Sequence, residues 1–325
     1  MENISAELPG NIGTDSAIIP PPPEASMITK VMRKAGWIGF AVFFLVFFTV
    51  LKIPEARLKN FIQGTLASEL AASGISMTSA SSSLSMAFGL KFKMKEVNLM
   101  LADSPNPIKL SELSFSPSIF PLLVGKFGGT LVAYQGKSKL WLSFTTSTNP
   151  TSPYTNLSFE ADEIDVGKTG ILAALAQIQG SGVIHGSGNI KGDFTKPSSL
   201  EGKIDLKLSK VLIDQQAVSG FAIPRLTVSE GFIEGNFAAS KLTATKVSLG
   251  KNAEDDLKGT VTGDLSLGQR WDMSSYNLKI KFSLSEKVLQ AFAILDAILG
   301  SFKQADGSYG LTLTGPFTAP LPGPL

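Results

Sequence analysis

Apolar and polar residues alternate strictly in several separate stretches of the chain. Apolar side chains recur at every second position in 204–208 and 278–284, with lysine, aspartate or serine between them, and again in 140–144 and, with one break, in 92–101. A period of two puts one face of a strand in a core and the other in water. This is typical of antiparallel sheets. The pattern therefore predicts a mainly β domain.

A short glycine-containing sequence motif, which we call the repeated phrase, occurs twice and adds detail to the predicted β fold. Residues 192–197 (GDFTKP) and 315–320 (GPFTAP) both indicate a strand, a glycine break, an aromatic residue and a proline stop. Related glycine-punctuated strands lie at 182–186 and 259–265. Glycines at such intervals favour bends or bulges over phosphate-binding loops, because no helix N-terminus clearly follows them. We expect a repetitive antiparallel sheet that is curved or partly rolled.

Three segments show helical spacing instead. Residues 54–74 carry apolar side chains at Leu58, Phe61, Ile62, Leu66 and Leu70, which predicts an amphipathic helix that begins at Pro54, ends near Gly74 and links a membrane anchor to the domain. Residues 171–179 predict a short alanine-rich helix. The apolar spacing in 285–302 predicts a helix that ends near Gly300 and plugs or covers one apolar face of the sheet.

An uncharged run between Lys34 and Lys52 indicates a membrane span. Its roughly seventeen residues make about 26 Å of helix at 1.5 Å per residue. A buried core helix that is apolar all round would need partners on every side. A cleaved signal peptide would need small residues after the run, and Thr49 to Lys52 do not supply them. We therefore predict an uncleaved transmembrane anchor at residues 30–53.

The flanking sequences set the expected topology. Residues 1–29 are acidic and include four consecutive prolines, so we expect a disordered tail. Basic residues before and after the run nearly balance, so the flanking charges alone do not decide orientation. A single N-terminal span followed by a long chain is the usual signal-anchor layout. It places the tail in the cytoplasm and residues 75–325 outside as the β-rich domain.

Composition excludes several classes of function. The formal net charge is +2, with 29 basic and 27 acidic residues, so the chain has no broad positive field and we expect no nucleic-acid partner. It contains no cysteine, which rules out disulfides, zinc–thiolate sites, iron–sulfur clusters and cysteine nucleophiles. A single histidine rules out a multi-histidine metal site. We expect a protein that is not an enzyme. An envelope hydrolase stays open as a third class, because two carboxylates at glycosidase distance cannot be recognised from sequence alone.

Four local candidates for chemistry are weak. His185 lies among glycines without a nucleophile motif, which favours a strand or turn residue. Residues 167–169 (GKT) match the end of a phosphate-binding loop, but the required first glycine falls at Asp162. The acidic groups at 162–165 and 254–256 lack the rest of a calcium loop and favour solvated turns. No catalytic, cofactor-binding or metal-binding residue is predicted.

Several longer segments resemble the bacterial type II secretion system protein N family, also called general secretion pathway protein N. The resemblance is carried by 89–97 (GLKFKMKEV), 116–126 (SPSIFPLLVGK), 222–226 (AIPRL) and 306–315 (DGSYGLTLTG). The order and spacing of these segments are more specific than any one of them. Together they span most of residues 89–325.

The resemblance implies a protein of the bacterial inner membrane with one N-terminal span and a periplasmic β-rich domain. Such a protein is associated with export of folded proteins, and its partners would be other type II secretion subunits, bound through sheet edges and loops. The architecture is similar to that of AsmA-type envelope proteins, whose curved sheets can present an apolar groove. The alternative function is therefore binding or transfer of lipid in such a groove.

Overall fold

The computed structural model describes residues 55–85, 90–102, 104–122, 124–149, 153–218, 221–291 and 299–325. The predicted tail at 1–29 and the predicted anchor at 30–53 lie outside these ranges. Across the ranges described, every helix is too short or too polar to traverse a bilayer.

One antiparallel sheet of fifteen strands dominates the described chain, as the alternating pattern predicts. From β3 onward, strands that follow one another in sequence also lie side by side, apart from the small β10–β11 hairpin inserted between β9 and β12. Both β1 and β2 pair with β3. The strands are β1 (Ile75–Thr78), β2 (Ser81–Ser85), β3 (Lys91–Leu101), β4 (Ile108–Ser118), β5 (Lys126–Gln135), β6 (Ser138–Ser147), β7 (Thr155–Asp165), β8 (Gly180–Gly192), β9 (Glu201–Ile213), β10 (Gln216–Val218), β11 (Phe221–Ile223), β12 (Leu226–Ala238), β13 (Lys241–Leu249), β14 (Leu257–Ser266), β15 (Ser275–Leu284), β16 (Tyr309–Pro316) and β17 (Leu321–Pro324).

Helices make up a small part of the described fold. The longest contains eighteen residues and precedes the sheet, and the others are short connections. They are α1 (Glu55–Ala72), α2 (Ile119–Leu122), α3 (Val166–Thr169), α4 (Ile171–Ala176) and α5 (Glu286–Ala291). The predicted helix at 285–302 corresponds to α5 and a 3₁₀ turn at Gly300–Phe302, while 292–298 lie outside the described residues.

The strand register gives the sheet two chemically different faces. Residues that pair across strands share a face. One row, which we call the inner-face row, runs through Met94, Leu113, Ala133, Leu140, Ala161, Gly186, Leu206, Ile233, Val247, Val261, Ile280 and Leu311. On the outer face, most adjacent positions are charged or polar, as at Lys93, Glu160 and Asp205. The predicted alternation is confirmed.

Helix α1 covers the inner face of the first strands. Ile62 and Leu66 pack against a buried cluster that includes Phe92, Met94 and Val97. Phe61, which we placed on the same apolar stripe, is 70% exposed. Residues 62, 66 and 70 recur every four positions and define the buried stripe, whereas residue 61 points about 100° away from residue 62 on a helix of 3.6 residues per turn.

The repeated phrase closes one end of the sheet in both of its copies. Phe194 packs against a second buried cluster of Ile190, Leu200 and Phe237. Phe317 stacks on Tyr276 with ring centroids 4.5 Å apart. In each copy, the aromatic ring therefore covers apolar side chains at the point where a strand ends.

Glycines allow close backbone approach within the sheet. Gly186 has φ +156° and lies opposite a register shift in β7. At Gly202, φ is +144° and an added Cβ would lie 1.9 Å from the carbonyl oxygen of Asn189. The glycine-punctuated strand at 182–186 is thus an irregular strand, as its sequence predicts.

Candidate functional site

A cavity of about 450 Å³ lies between α1 and the inner face of the first strands. Leu66 and Leu70 line it from the helix, and Leu113, Ala133 and Ala161 line it from the sheet. We expected the segment 285–302 to cover an apolar face of the sheet. Over this cavity the covering helix is α1, which sequence analysis took for a link to the membrane.

The sheet bends around this cavity. Met94 of β3 and Ile184 of β8 both line it, although five strand spacings separate them. In a flat sheet these spacings of about 4.8 Å would place them roughly 24 Å apart. That both strands line one cavity indicates that the sheet curves between them.

Small residues at two inner-face positions leave the space. Most strands contribute leucine, isoleucine, valine or methionine to the inner-face row, but β5 and β7 contribute Ala133 and Ala161, which line the cavity. These two residues were not among those that the sequence pattern singled out. Small residues at core-facing positions of alternating strands predict such a cavity. They can be recognised in the sequence only once the strand register is known.

The wall of the cavity is hydrocarbon. None of its twenty lining residues is charged, and sixteen are apolar. Ser138 donates a hydrogen bond of 2.7 Å to the carbonyl oxygen of Glu163, and Thr169 donates one of 2.8 Å to that of Asp165. Gln135 accepts a hydrogen bond from Ser111 at 2.7 Å. Because these polar groups already have partners, the wall is suited to an apolar ligand.

Helices α3 and α4 close one end of the bent sheet. Ile171 lines the cavity from α4. Asn106, in the turn between β3 and β4, donates a hydrogen bond of 3.4 Å to the carbonyl oxygen of Ala173. This bond joins the α4 segment, which follows β7, to the turn before β4, three strand spacings away in the sheet.

The predicted chemical candidates near this end have structural roles. Asp165 accepts a hydrogen bond from the backbone N–H of Lys168 at 3.0 Å, and that bond lowers the pKa of its carboxyl group. Residues 167–169 belong to α3, with Thr169 buried, so they form a helical turn and not a phosphate-binding loop. His185 lies in β8, where its Nδ1 accepts from the backbone N–H of Glu163 at 3.4 Å. In the described part of the chain, acidic and histidine side chains form no group of three that could hold a metal ion.

The predicted solvated acidic turn at 254–256 is wrong for two of its residues. Asp255 and Asp256 are both buried. Asp255 accepts hydrogen bonds from Ser229 N–H and Oγ, each at 2.6 Å, and from the backbone N–H groups of Lys251 and Asn252, each at 2.7 Å. The charge is stable inside the protein because the loop and β12 supply several donors to it.

Asp256 makes a parallel connection to the start of α5. Its carboxylate accepts hydrogen bonds from Thr227 N–H and Oγ1 at 2.8 and 2.9 Å, and from Ser285 Oγ at 2.8 Å. Burial alone would raise the pKa of both aspartates, but the hydrogen bonds outweigh it and hold each pKa below its usual value. The two residues fasten the β13–β14 loop to β12 and to the residue before α5.

The last strand presents a poor edge for pairing. Leu325 N–H donates to the carbonyl oxygen of Gly310 in β16. By strand alternation, the backbone polar groups of Gly323 also point toward β16, while those of Pro322 and Pro324 point away from the sheet, toward its free edge. Proline has no N–H to donate. Partner binding by strand addition is therefore disfavoured at β17.

Comparison of the chain with protein-family models, curated proteins and solved structures found no match. The resemblance to the type II secretion system protein N family stays a prediction that rests on the segments given above.

Proposed function

We propose that the sheet domain binds the acyl chain of a lipid in the cavity beneath α1. The observation that carries this proposal is the uncharged wall of an approximately 450 Å³ cavity formed by α1 and the bent sheet. A carbohydrate, nucleotide or peptide backbone would find few polar partners there. A hydrocarbon chain needs none.

The volume fits one chain. At about 30 Å³ per heavy atom, the share of a water molecule in the liquid, the cavity holds about fifteen carbon atoms. This is the size of a single common acyl chain. We therefore infer a lipid that inserts one chain fully, with its other parts outside the cavity.

Energetics favour an apolar ligand, because a hydrocarbon chain in the cavity removes the apolar wall and its own surface from water. Larger residues at Ala133 and Ala161 would fill the space, so their small size is consistent with a cavity maintained for a ligand.

The inner face continues past the cavity and offers a surface for a second chain. The inner-face row remains apolar from Leu206 to Leu311. On β12, Ile233 is 41% exposed. This open apolar surface supports the lipid-groove alternative derived from the sequence.

Native mass spectrometry of the detergent-extracted full chain tests the proposal. We expect a bound phospholipid on the wild type and its loss in Ala133→Phe, which fills the cavity. Thr262→Phe is the matched control, because Thr262 is exposed on the outer face of β14. Absence of lipid from the wild type, or equal lipid on the wild type and a folded Ala133→Phe protein, would contradict acyl-chain binding.

A role in type II secretion is a second proposal, supported by the family-like segments of the sequence. In this role, the membrane-anchored periplasmic domain binds other secretion subunits without catalysing a reaction. In-cell crosslinking from exposed loop positions should recover those subunits. Recovery of none, together with normal secretion after deletion of the gene, would argue against it whatever the lipid experiment shows.

A further inference from the structure

The connections at one end of the sheet are poor in charge. These connections follow β4, β6, β8, β12, β14 and β16, and we call their described residues the lower rim. The lower rim comprises 119–122, 124–125, 148–149, 153–154, 193–200, 239–240, 267–274 and 317–320. Four of its 32 residues are charged, whereas twelve of the 55 described residues in the strand connections at the opposite end are charged. The two ends of the sheet therefore suit different surroundings.

Large apolar side chains are exposed on the lower rim. Phe120 is 85% exposed, and Val124, Tyr154, Trp271 and Met273 are exposed as well. At the opposite end, among connection side chains that the structure describes, Leu175 is the one large apolar residue in this class. Exposed apolar residues that recur along one end mark a contact surface.

The four charges of the lower rim neutralise one another. Lys196 Nζ lies 3.6 Å from Asp193 Oδ2, and Arg270 forms an ion pair with Asp272 two residues away. Paired charges of opposite sign cost less to bring to a low-dielectric boundary than isolated ones. The rim can approach an apolar phase without leaving a lone charge there.

The chain leaves the sheet domain from this same end. At the C-terminal end of α1, the carbonyl oxygen of Gly74 accepts a hydrogen bond from Ala102 N–H, beyond the upper end of β3. Gln63 accepts one from Ser82, which pairs with Met94 in the lower half of β3. Glu55 precedes Gln63 by eight residues, or roughly 12 Å of helix toward the lower rim. The uncharged run of the sequence ends at Leu51, four positions before Glu55.

We propose that the lower rim seats on the surface of a lipid bilayer. The exposed apolar residues lie on connections as far apart as β4–β5 and β14–β15, eight strand spacings or roughly 38 Å along the sheet from β5 to β15. A bilayer surface is broad enough to meet all of them together. Tryptophan and tyrosine, which occur here as Trp271 and Tyr154, are the residue types that favour the membrane interface. This proposal does not rest on acyl-chain binding in the cavity.

The three tryptophans of the chain provide the test. Single-tryptophan variants of the full chain keep Trp271 on the rim, Trp141 in β6, or Trp37 in the uncharged run, with phenylalanine at the other two positions. Each is reconstituted into phosphatidylcholine vesicles with or without lipid brominated near the headgroup. Trp141 is the matched control, because it lies six residues, roughly 20 Å, before the lower end of β6.

We expect brominated lipid to reduce Trp271 emission at least twofold, to reduce Trp37 emission similarly and to leave Trp141 unchanged. Unchanged Trp271 emission would overturn the proposal, whether or not Trp37 is quenched. Equal quenching of Trp271 and Trp141 would also overturn it, because the sheet would then adhere without orientation. Trp271 emission that depends on protein concentration and not on bromination would overturn the proposal as well, since this result indicates contact with a second copy of the chain.

A charged variant separates rim docking from simple tethering. Phe120→Asp combined with Met273→Asp should at least halve the quenching of Trp271 and leave that of Trp37 unchanged. Far-UV circular dichroism checks that the sheet is intact. Full quenching of Trp271 in this folded variant would show that the rim side chains do not hold the domain on the bilayer.

Discussion

Replacing Asp255 by asparagine should strongly destabilise the sheet domain. The wild-type carboxylate accepts four hydrogen bonds of 2.6–2.7 Å, three of them at Oδ2 and one at Oδ1. Asparagine keeps the shape but carries only one acceptor oxygen. Its best orientation places that oxygen at the Oδ2 position and turns the amide N–H₂ against the N–H of Ser229.

The expected magnitude follows from these bonds. One buried N–H of Ser229 loses its acceptor, which costs about 1–3 kcal/mol. The three remaining bonds lose the negative charge that roughly doubles their strength, at about 1 kcal/mol less each. We expect a loss of about 4–6 kcal/mol, a large share of a typical net stability of 5–15 kcal/mol.

Urea unfolding of the full chain in detergent micelles, followed by circular dichroism, measures this loss. Glu254→Gln is the matched control, because it removes the neighbouring carboxylate at an exposed position and should change stability by less than 0.5 kcal/mol, within the usual range of about ±0.5 kcal/mol for surface changes. A loss below about 1 kcal/mol in Asp255→Asn would refute the assignment of Asp255 as a buried, multiply bonded carboxylate.

The stability difference between wild type and Asp255→Asn should depend on pH, and the lowered pKa of Asp255 sets the sign. The pKa of Asp255 is lowered in the folded protein, so its contribution to stability is present above the unfolded pKa of about 3.9 and is lost as the pH falls through the lower folded value. The difference between wild type and Asp255→Asn should therefore shrink below about pH 4. A difference that stays constant from pH 7 to pH 3 would contradict this linkage.

Two further pairs of variants test the sheet. Gly202→Ala should cost several kcal/mol, because the new Cβ would meet the carbonyl oxygen of Asn189, whereas Gly64→Ala, with open space at its Cβ in α1, should stabilise by up to about 1 kcal/mol. Thermal unfolding of both variants would show the contrast, and similar melting temperatures would argue against the strained glycine. Leu206→Asp should destabilise the inner face by at least about 2 kcal/mol, while Lys207→Gln on the outer face, which loses a half-exposed ion pair with Glu230, should cost less than about 1 kcal/mol. Equal urea midpoints for this pair would mean that the two faces are wrongly assigned.

The alternating pattern was sufficient to predict the sheet. Lys203, Asp205 and Lys207 between apolar neighbours identify β9, and the interruption in 92–101 coincides with Glu96, whose φ of +52° marks an irregular position in β3. These features are local, because side-chain periodicity follows directly from strand geometry. Local patterns also located α1 and the α4 segment.

Long-range contacts limited the rest of the prediction. The acidic sequence at 254–256 has the composition of a solvated turn, and only the return of β12 brings the Ser229 donors to Asp255. The cavity depends likewise on Ala133 and Ala161 lying in one row, which requires the register of three strands. Neither arrangement is encoded in the spacing of neighbouring residues.

The two outward prolines of β17 also bear on self-association. Head-to-tail stacking of sheets joins the last strand of one copy to the first strand of the next, so an endless filament needs hydrogen-bond donors at both margins of every copy. Pro322 and Pro324 remove those donors from one margin. Extension of such a filament through the β17 margin is therefore disfavoured.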